Sequence, residues 1–206
     1  KKINYKNILI IMKKIEFWYS IGSTYTYLST QRLEQLEANN DVIFEWFPFS
    51  VRARMIEMEN VPFMAEKKRQ KIDYMWRDVQ RRAKLYGFDA KTPAPYPLKE
   101  FDLANKIAIL GKKEGWIKEY TKITYKKWFL EHLEPGLDPN LSDTLKELGL
   151  DRDKVLKEAN SNEIEDNYLQ NTEIAKNKGI FGSPTFIYEN EVFWGDDRCE
   201  DAIKWS

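Results

Sequence analysis

Residues 15–28 read IEFWYSIGSTYTYL, in which a strand, a turn and the start of a helix follow one another. The first five residues are aromatic and β-favouring, which predicts a short strand. Ser20-Ile21-Gly22-Ser23 then predicts a turn. A helix is expected to begin near Ser23 or Thr24, because a hydroxyl there can cap the free N–H groups of a first helical turn.

The elements that follow predict an α/β fold. Apolar residues continue the first helix to Asn39-Asn40-Asp41, and residues 42–47 predict a second strand. A strand, a helix and a strand in this order imply a parallel strand pair. Near the C-terminus, residues 185–188 and 192–194 predict a hairpin, and a last helix follows from about Arg198. Between these ends, the pattern predicts helices at 63–86, 99–114, 116–133, 141–149, 152–160 and 162–177.

The composition narrows the classes of function. Lysine plus arginine and aspartate plus glutamate number 33 each, and a chain without excess positive charge is a poor candidate for binding nucleic acid or an anionic membrane. Cys199 is the single cysteine. An intrachain disulfide and a cysteine-based metal cluster are therefore excluded, and a reducing, cytoplasmic location is expected. His132, the single histidine, has no second histidine or nearby cysteine with which to form a metal site.

The first residues carry a short apolar run. Residues 8–12 are too few to span a bilayer, and no small-residue cleavage site follows them. Met12-Lys13-Lys14 reads as a natural start. Residues 1–11 are therefore interpreted as a leader or as added sequence.

Two polar segments are the candidates for chemistry. Ser23 lies where the first strand ends and a helix begins, and free N–H groups at such a place favour an anion such as a thiolate. Alternatively, the Ser23 hydroxyl serves only to cap the helix. Pro184 stands at the start of a predicted strand, where a proline is often cis and leaves the N–H and C=O of Ser183 free to pair with a bound peptide. Alternatively, Pro184 is an ordinary proline at the start of a strand, with no role in binding.

Three blocks, at residues 17–28, 179–186 and 193–198, carry a family resemblance. They resemble the signatures Ser-Pro-Tyr-Ser-Tyr-Leu, Gly-Val-Phe-Gly-Val-Pro-Thr-Phe and Phe-Trp-Gly-x-Asp-Arg. These are the signatures of kappa-class glutathione transferases and 2-hydroxychromene-2-carboxylate isomerases, in the DsbA-like part of the thioredoxin superfamily. The resemblance implies a thioredoxin-like fold, βαβ…ββα, with an all-helical insertion. The implied division is a first thioredoxin-like part at 13–61, the insertion at 62–177 and a second thioredoxin-like part at 178–206.

The resemblance also implies roles for individual residues. Ser23 matches the catalytic serine whose hydroxyl holds the sulfur of glutathione, the implied cofactor, as a thiolate. Because Ser23 and Thr26 stand where redox members carry cysteines, disulfide exchange is excluded there. Thr24 replaces a family proline and Ser20 a family aspartate, which bears on substrate choice. The residues that match the family's glutathione-binding positions are Asn60, Ser183, Pro184, Asp196, Asp197 and Arg198.

The activity implied by the resemblance is that of a glutathione-dependent isomerase, which acts on an aromatic oxo-acid by reversible thiolate addition. Two alternatives stay open: a kappa-like glutathione transferase that conjugates electrophiles, and a thioredoxin-like module that binds peptides without catalysis. Tyr25, Tyr74 and Trp76 are expected to line an apolar pocket for a small-molecule substrate. The resemblance also implies a homodimer.

Overall fold

The sheet contains the parallel strand pair and the hairpin that the sequence predicts. A computed structural model describes residues 12–60 and 65–206, so the expected leader at 1–11 lies outside the described residues. The strands are β1 (Lys13–Tyr19), β2 (Val42–Pro48), β3 (Thr185–Tyr188) and β4 (Glu191–Trp194), in the order β2-β1-β3-β4. β1 pairs with β2 in parallel, as the βαβ unit predicts, while β3 is antiparallel to both β1 and β4.

Helices cover the sheet and form the predicted insertion. The helices of the insertion and the last helix lie within a few residues of their predicted positions, which confirms the α/β class with an all-helical insertion. The helices are α1 (Thr26–Thr30), α2 (Leu33–Asn39), α3 (Val51–Glu57), α4 (Ala65–Leu85), α5 (Phe101–Glu114), α6 (Ile117–Glu131), α7 (Asn140–Glu147), α8 (Arg152–Ala159), α9 (Asn162–Asn177) and α10 (Cys199–Trp205), with a 3-10 turn at Asp196–Arg198.

The first helix differs from the prediction at its start. It begins at Thr26, and no side-chain hydroxyl caps it. Ser23 belongs to the preceding turn, where its N–H donates to the Ser20 carbonyl at 3.0 Å. The interpretation of Ser23 as a helix cap is therefore wrong, because the turn places its hydroxyl toward a distant part of the chain.

The predicted long helix is also divided into α1 and α2, with a break at Gln31 and Arg32. The Thr30 hydroxyl donates to the Tyr27 carbonyl at 3.0 Å, a local bond that competes with the helical ladder. Arg32 is buried, and its guanidinium lies 3.6 Å from the centre of the Tyr86 ring. The break thus coincides with a buried cation that faces an aromatic ring.

One hydrophobic core joins the sheet and the insertion. Side chains of β1 alternate between the two faces of the sheet, as strand geometry requires. Phe17 and Tyr19 stack on one face with ring centres 4.9 Å apart, in the same cluster as Trp128 and Phe129 of α6. Trp18 faces the other side, where a smaller cluster packs. The C-terminal end of β1 is therefore anchored on both faces.

Candidate functional site

The turn that carries Ser23 is held by two buried side chains of the insertion. Asn105 of α5 accepts the Ile21 N–H at 2.8 Å and donates to the Ile21 carbonyl at 2.9 Å. The Tyr125 hydroxyl of α6 lies 3.0 Å from the carbonyl oxygens of both Ser20 and Ser23. Burial raises the pKa of Tyr125 well above its ordinary value, so this hydroxyl remains a protonated donor. The protein's own side chains therefore fix the backbone of the turn.

Ser23 is in direct contact with the loop that precedes β3. Its hydroxyl donates to the Ser183 carbonyl at 2.6 Å. The peptide bond between Ser183 and Pro184 is cis, as expected of a proline in this place. The Ser183 carbonyl is therefore only partly free in this structure, because the neighbouring hydroxyl fills one of its two acceptor positions.

A cavity of about 350 Å³ opens beside this contact. Its walls come from the Ser23 turn, from α4, from the loop before β3 and from the segment after β4. Four of the predicted binding residues share it, namely Ser183, Pro184, Asp196 and Asp197. The other lining residues are Tyr25, Tyr74, Asp78, Arg82, Trp194 and Gly195.

Asp196 is buried and already paired with a cation. Arg82 of α4 reaches its carboxylate at 2.8 Å, and the Tyr86 hydroxyl donates to it at 3.2 Å. Burial raises the pKa of Asp196 above its ordinary value, although Arg82 and Tyr86 act to lower it. The protein thus balances the charge of this carboxylate, which leaves Asp197 as the more available partner for a ligand ammonium group.

The remaining predicted residues differ in how they relate to the cavity. The Asp197 side chain is 45% exposed and lies 3.1 Å from Arg198. Arg198 also pairs with Asp201 at 2.7 Å, so it supports the loop. Asn60 is exposed after the end of α3, where its N–H donates to the Met55 carbonyl at 2.8 Å. Within the described part of the chain, the cavity lining includes Asp197 but not Ser23, Arg198 or Asn60, and Ser23 reaches the cavity wall only through its bond to Ser183.

A second, more apolar cavity of about 210 Å³ shares Tyr25 and Tyr74 with the first. The Tyr25 hydroxyl donates to Asp78 at 3.0 Å, and burial together with that carboxylate raises the pKa of Tyr25. The expectation that these two tyrosines line a pocket is confirmed. The expectation for Trp76 is wrong: it is buried in the core, with its ring centre 6.2 Å from that of Phe129.

Known proteins share this architecture. The family model for the DSBA-like thioredoxin domain matches residues 14–203. The chain belongs to this family.

Several relatives of this DsbA-like chain are named 2-hydroxychromene-2-carboxylate isomerase. A 2-hydroxychromene-2-carboxylate isomerase from Pseudomonas putida is 26% identical over 89% of each chain. One from Sphingobium xenophagum is 22% identical over 91% of this chain and 95% of its own. A solved 2-hydroxychromene-2-carboxylate isomerase superposes with a TM-score of 0.80 at 26% identity, over 91% of both chains. A probable DsbA oxidoreductase from Streptomyces coelicolor, 17% identical with a TM-score of 0.71 over 93% of this chain and 87% of its own, shares the fold.

The DsbA-like chain has site residues that the sequence analysis missed. Asp78 and Arg82 line the cavity together with Tyr74, and their spacing of four residues along α4 places all three on one face. That spacing is visible in the sequence and could have indicated a shared face. Asn105 and Tyr125 offered none, because each is a single polar residue whose partners lie far away in the sequence.

Membrane-spanning helices and metal-binding groups were looked for among the residues that the structure describes. None of the helices within 12–60 and 65–206 combines the length and the apolar character that a membrane crossing requires. In the same part of the chain, no three His, Cys, Asp or Glu side chains are grouped so that they could hold a metal ion. The cytoplasmic location and the homodimer stay predictions.

Proposed function

We propose that this DsbA-like chain is a glutathione-dependent isomerase of the 2-hydroxychromene-2-carboxylate isomerase type. One contact carries the proposal: the Ser23 hydroxyl bonds the Ser183 carbonyl at 2.6 Å, beside a cavity large enough for a small ligand. Relatives of that name, 26% and 22% identical, match 89% and 91% of this chain and support the same activity.

The chemistry of the cavity suits glutathione, which carries two carboxylates, an ammonium group, two amides and a thiol. Arg82 has five N–H donors and can bind a carboxylate in addition to Asp196. Asp197 can pair with an ammonium group. The Ser183 carbonyl keeps a second acceptor position, which can take an N–H of an extended peptide backbone. Each kind of group on the tripeptide therefore has a counterpart here.

The Ser23 hydroxyl is the group suited to the sulfur. When bound, glutathione supplies a thiolate that adds reversibly to the conjugated system of an aromatic oxo-acid. The hydroxyl has one proton, so Ser23 must release the Ser183 carbonyl before it can donate to sulfur. A hydrogen bond to an anion is roughly twice as strong as one between neutral groups. Ser23 therefore favours an anionic sulfur over a neutral thiol.

This stabilisation depends on the hydroxyl more than on a helix dipole. The sequence places Ser23 at the start of a helix, but α1 begins three residues later and has 5 residues. Few peptide dipoles are aligned in so short a helix, so its contribution at Ser23 is small. The pKa of a bound thiol is therefore expected to depend mainly on the Ser23 hydroxyl.

The apolar cavity that shares Tyr25 and Tyr74 supports an aromatic substrate. Ile72 and Met75 of α4 also line it, and such surfaces bind aromatic rings by burial of apolar area. Because Tyr25 and Tyr74 belong to both cavities, a ring held in the apolar cavity would lie next to a ligand held in the first. The same arrangement would serve conjugation, so the test below includes an electrophile.

The test is turnover of 2-hydroxychromene-2-carboxylate with and without glutathione. We expect interconversion with its open-chain isomer that requires glutathione, and a loss of roughly 100-fold or more in kcat for Ser23→Ala, by analogy with removal of one donor to a developing anion. Ser142→Ala, on α7 of the insertion, is the matched serine control. Turnover without glutathione, or full turnover in Ser23→Ala, would contradict the proposal. Conjugation of an aromatic electrophile without isomerisation would favour the transferase.

A further inference from the structure

The side chain of Ser183 makes contacts that backbone recognition of a ligand does not require. Its Oγ accepts the Ser20 N–H at 2.9 Å and lies 2.9 Å from the Thr26 Oγ1. Ser20 comes three residues before Ser23, and Thr26 comes three residues after it. One hydroxyl therefore joins both ends of the turn that has Ser23 in its middle.

We propose that Ser183 is a positioning residue for Ser23, acting through its side-chain hydroxyl. The inference rests on the proposed function of Ser23. A serine hydroxyl can donate one hydrogen bond and accept two, so it can hold Ser20 and Thr26 at once. The Ser183 carbonyl meanwhile accepts from Ser23. In the protein without ligand, a single residue thus fixes the two ends and the centre of the turn.

The direction of these contacts distinguishes Ser183 from the other residues that hold the turn. Asn105 and Tyr125 fix the turn against the insertion. Ser183 fixes it against the loop that lines the cavity and that would hold the ligand backbone. The distance between the Ser23 Oγ and a ligand sulfur therefore depends on the Ser183 side chain. A displacement of about 1 Å can change a rate by roughly 100-fold, so a smaller displacement should have a measurable effect.

The first test uses the protein without ligand. Ser183→Ala removes the hydroxyl and keeps the backbone carbonyl, whereas Ser183→Thr keeps both. We expect hydrogen exchange of the Ser20 amide, followed by NMR, to become about fivefold faster in the alanine variant, since a typical buried hydrogen bond contributes about 1 kcal/mol. The threonine variant should retain slow exchange at Ser20.

The second test measures the thiol of bound glutathione by the ultraviolet absorbance of its thiolate over a range of pH. We expect Ser183→Ala to raise the pKa of the bound thiol by about 0.5 to 1 relative to the unaltered protein, with partial or full rescue in Ser183→Thr. In the isomerase assay, kcat should fall roughly three- to tenfold while the KM for glutathione changes less than about twofold. A purely stabilising role of Ser183 would leave the bound-thiol pKa unchanged.

The outcomes separate this inference from the proposed function. If Ser183→Ala keeps both the slow Ser20 exchange and the unaltered bound-thiol pKa, the positioning role is overturned. If the unaltered protein binds no glutathione, the proposed function fails, and the Ser20 exchange alone decides whether Ser183 fixes the turn. Should Ser183→Ala not fold, Thr26→Val breaks one of the two contacts from the other side. An unaltered bound-thiol pKa in Thr26→Val would then overturn the positioning role.

Discussion

At the scale of single residues, the chain's chemistry depends on a serine and not on its cysteine. Ser23 lies beside the main cavity, whereas Cys199 of α10 is 1% exposed. Burial raises the pKa of Cys199 to about 12, and the nearby Arg32 lowers it only in part. Because a thiol reacts as its thiolate, roughly one Cys199 side chain in ten thousand would be ionised at about pH 8.

We therefore expect Cys199 in the folded protein to resist alkylation by iodoacetamide at about pH 8 and to react fully once the chain is unfolded. Mass spectrometry against time measures the modified fraction. Free glutathione in the same tube serves as the control for reagent activity. Rapid alkylation of the folded protein would mean that the thiol is reached and ionised, contrary to its burial.

At the scale of elements, helices with local signals were predictable from the sequence. α9 spans the predicted residues, and its start has the local signal of a cap, since the Ser161 Oγ accepts the Ile164 N–H at 3.4 Å. α3 was missed because its 7 residues are too few to show a helical period, although it too has a cap, in which the Ser50 Oγ accepts the Ala53 N–H at 3.2 Å. It is held by tertiary contacts, including the bond from the Ser50 N–H to the Thr172 Oγ1 at 3.0 Å.

The corner between α5 and α6 depends on a glycine that the sequence did not single out. A Cβ on Gly111 would lie 2.7 Å from the Trp116 ring and 3.1 Å from the Ile117 Cα. In an unhindered helix, Gly→Ala stabilises by up to about 1 kcal/mol. Here the overlap with the Trp116 ring, together with the tight approach to the Ile117 backbone, should outweigh that gain, so the local packing decides the sign of the effect.

We expect Gly111→Ala to lower the free energy of unfolding by about 1–3 kcal/mol, the usual effect of overpacking a core. Urea unfolding followed by tryptophan fluorescence measures the change. Lys113→Ala, a surface change on the same helix, should stay within about 0.5 kcal/mol of the unaltered protein. A stabilised Gly111→Ala would show that the corner has room the structure does not indicate.

At the scale of the whole molecule, one ion pair joins the insertion to the C-terminal segment across the site. Arg82 of α4 and Asp196 after β4 are separated by 114 residues in the sequence, so no local pattern predicts their contact. Family signatures identified Asp196 as a site residue but not its partner. The sequence could therefore predict the elements of the fold and the polar site residues at strand ends and in loops. It could not predict the contacts that the insertion makes with them, because these depend on how the elements pack.

Replacing Arg82 by methionine should destabilise the protein by about 2–3 kcal/mol near neutral pH, because it leaves the buried Asp196 carboxylate without its cation. Burial already raises the pKa of Asp196, and loss of the cation raises it further. The folded variant then binds a proton that the unfolded chain releases, so its stability increases as pH falls. The deficit, measured by urea unfolding, should narrow as pH falls from neutral toward about 4, the ordinary pKa of an aspartate in the unfolded chain.

Arg77→Met, on the same helix, is the matched control, since Arg77 is exposed and bonds Gln80 at 2.7 Å. It should stay within about 0.5 kcal/mol of the unaltered protein. A deficit in Arg82→Met that is constant over the same pH range would mean that the Asp196 charge is not its cause.

The central claim, a glutathione site with Ser23 at the sulfur, is tested most directly by a thermal-melt titration with reduced glutathione. We predict a saturable rise in Tm, since a ligand at about 100 times its Kd adds about 2.7 kcal/mol of stability. The rise should be smaller for Ser23→Ala, and also for S-methylglutathione, whose thioether is a weak acceptor. No rise at millimolar glutathione, in a protein that melts cooperatively, would contradict the account.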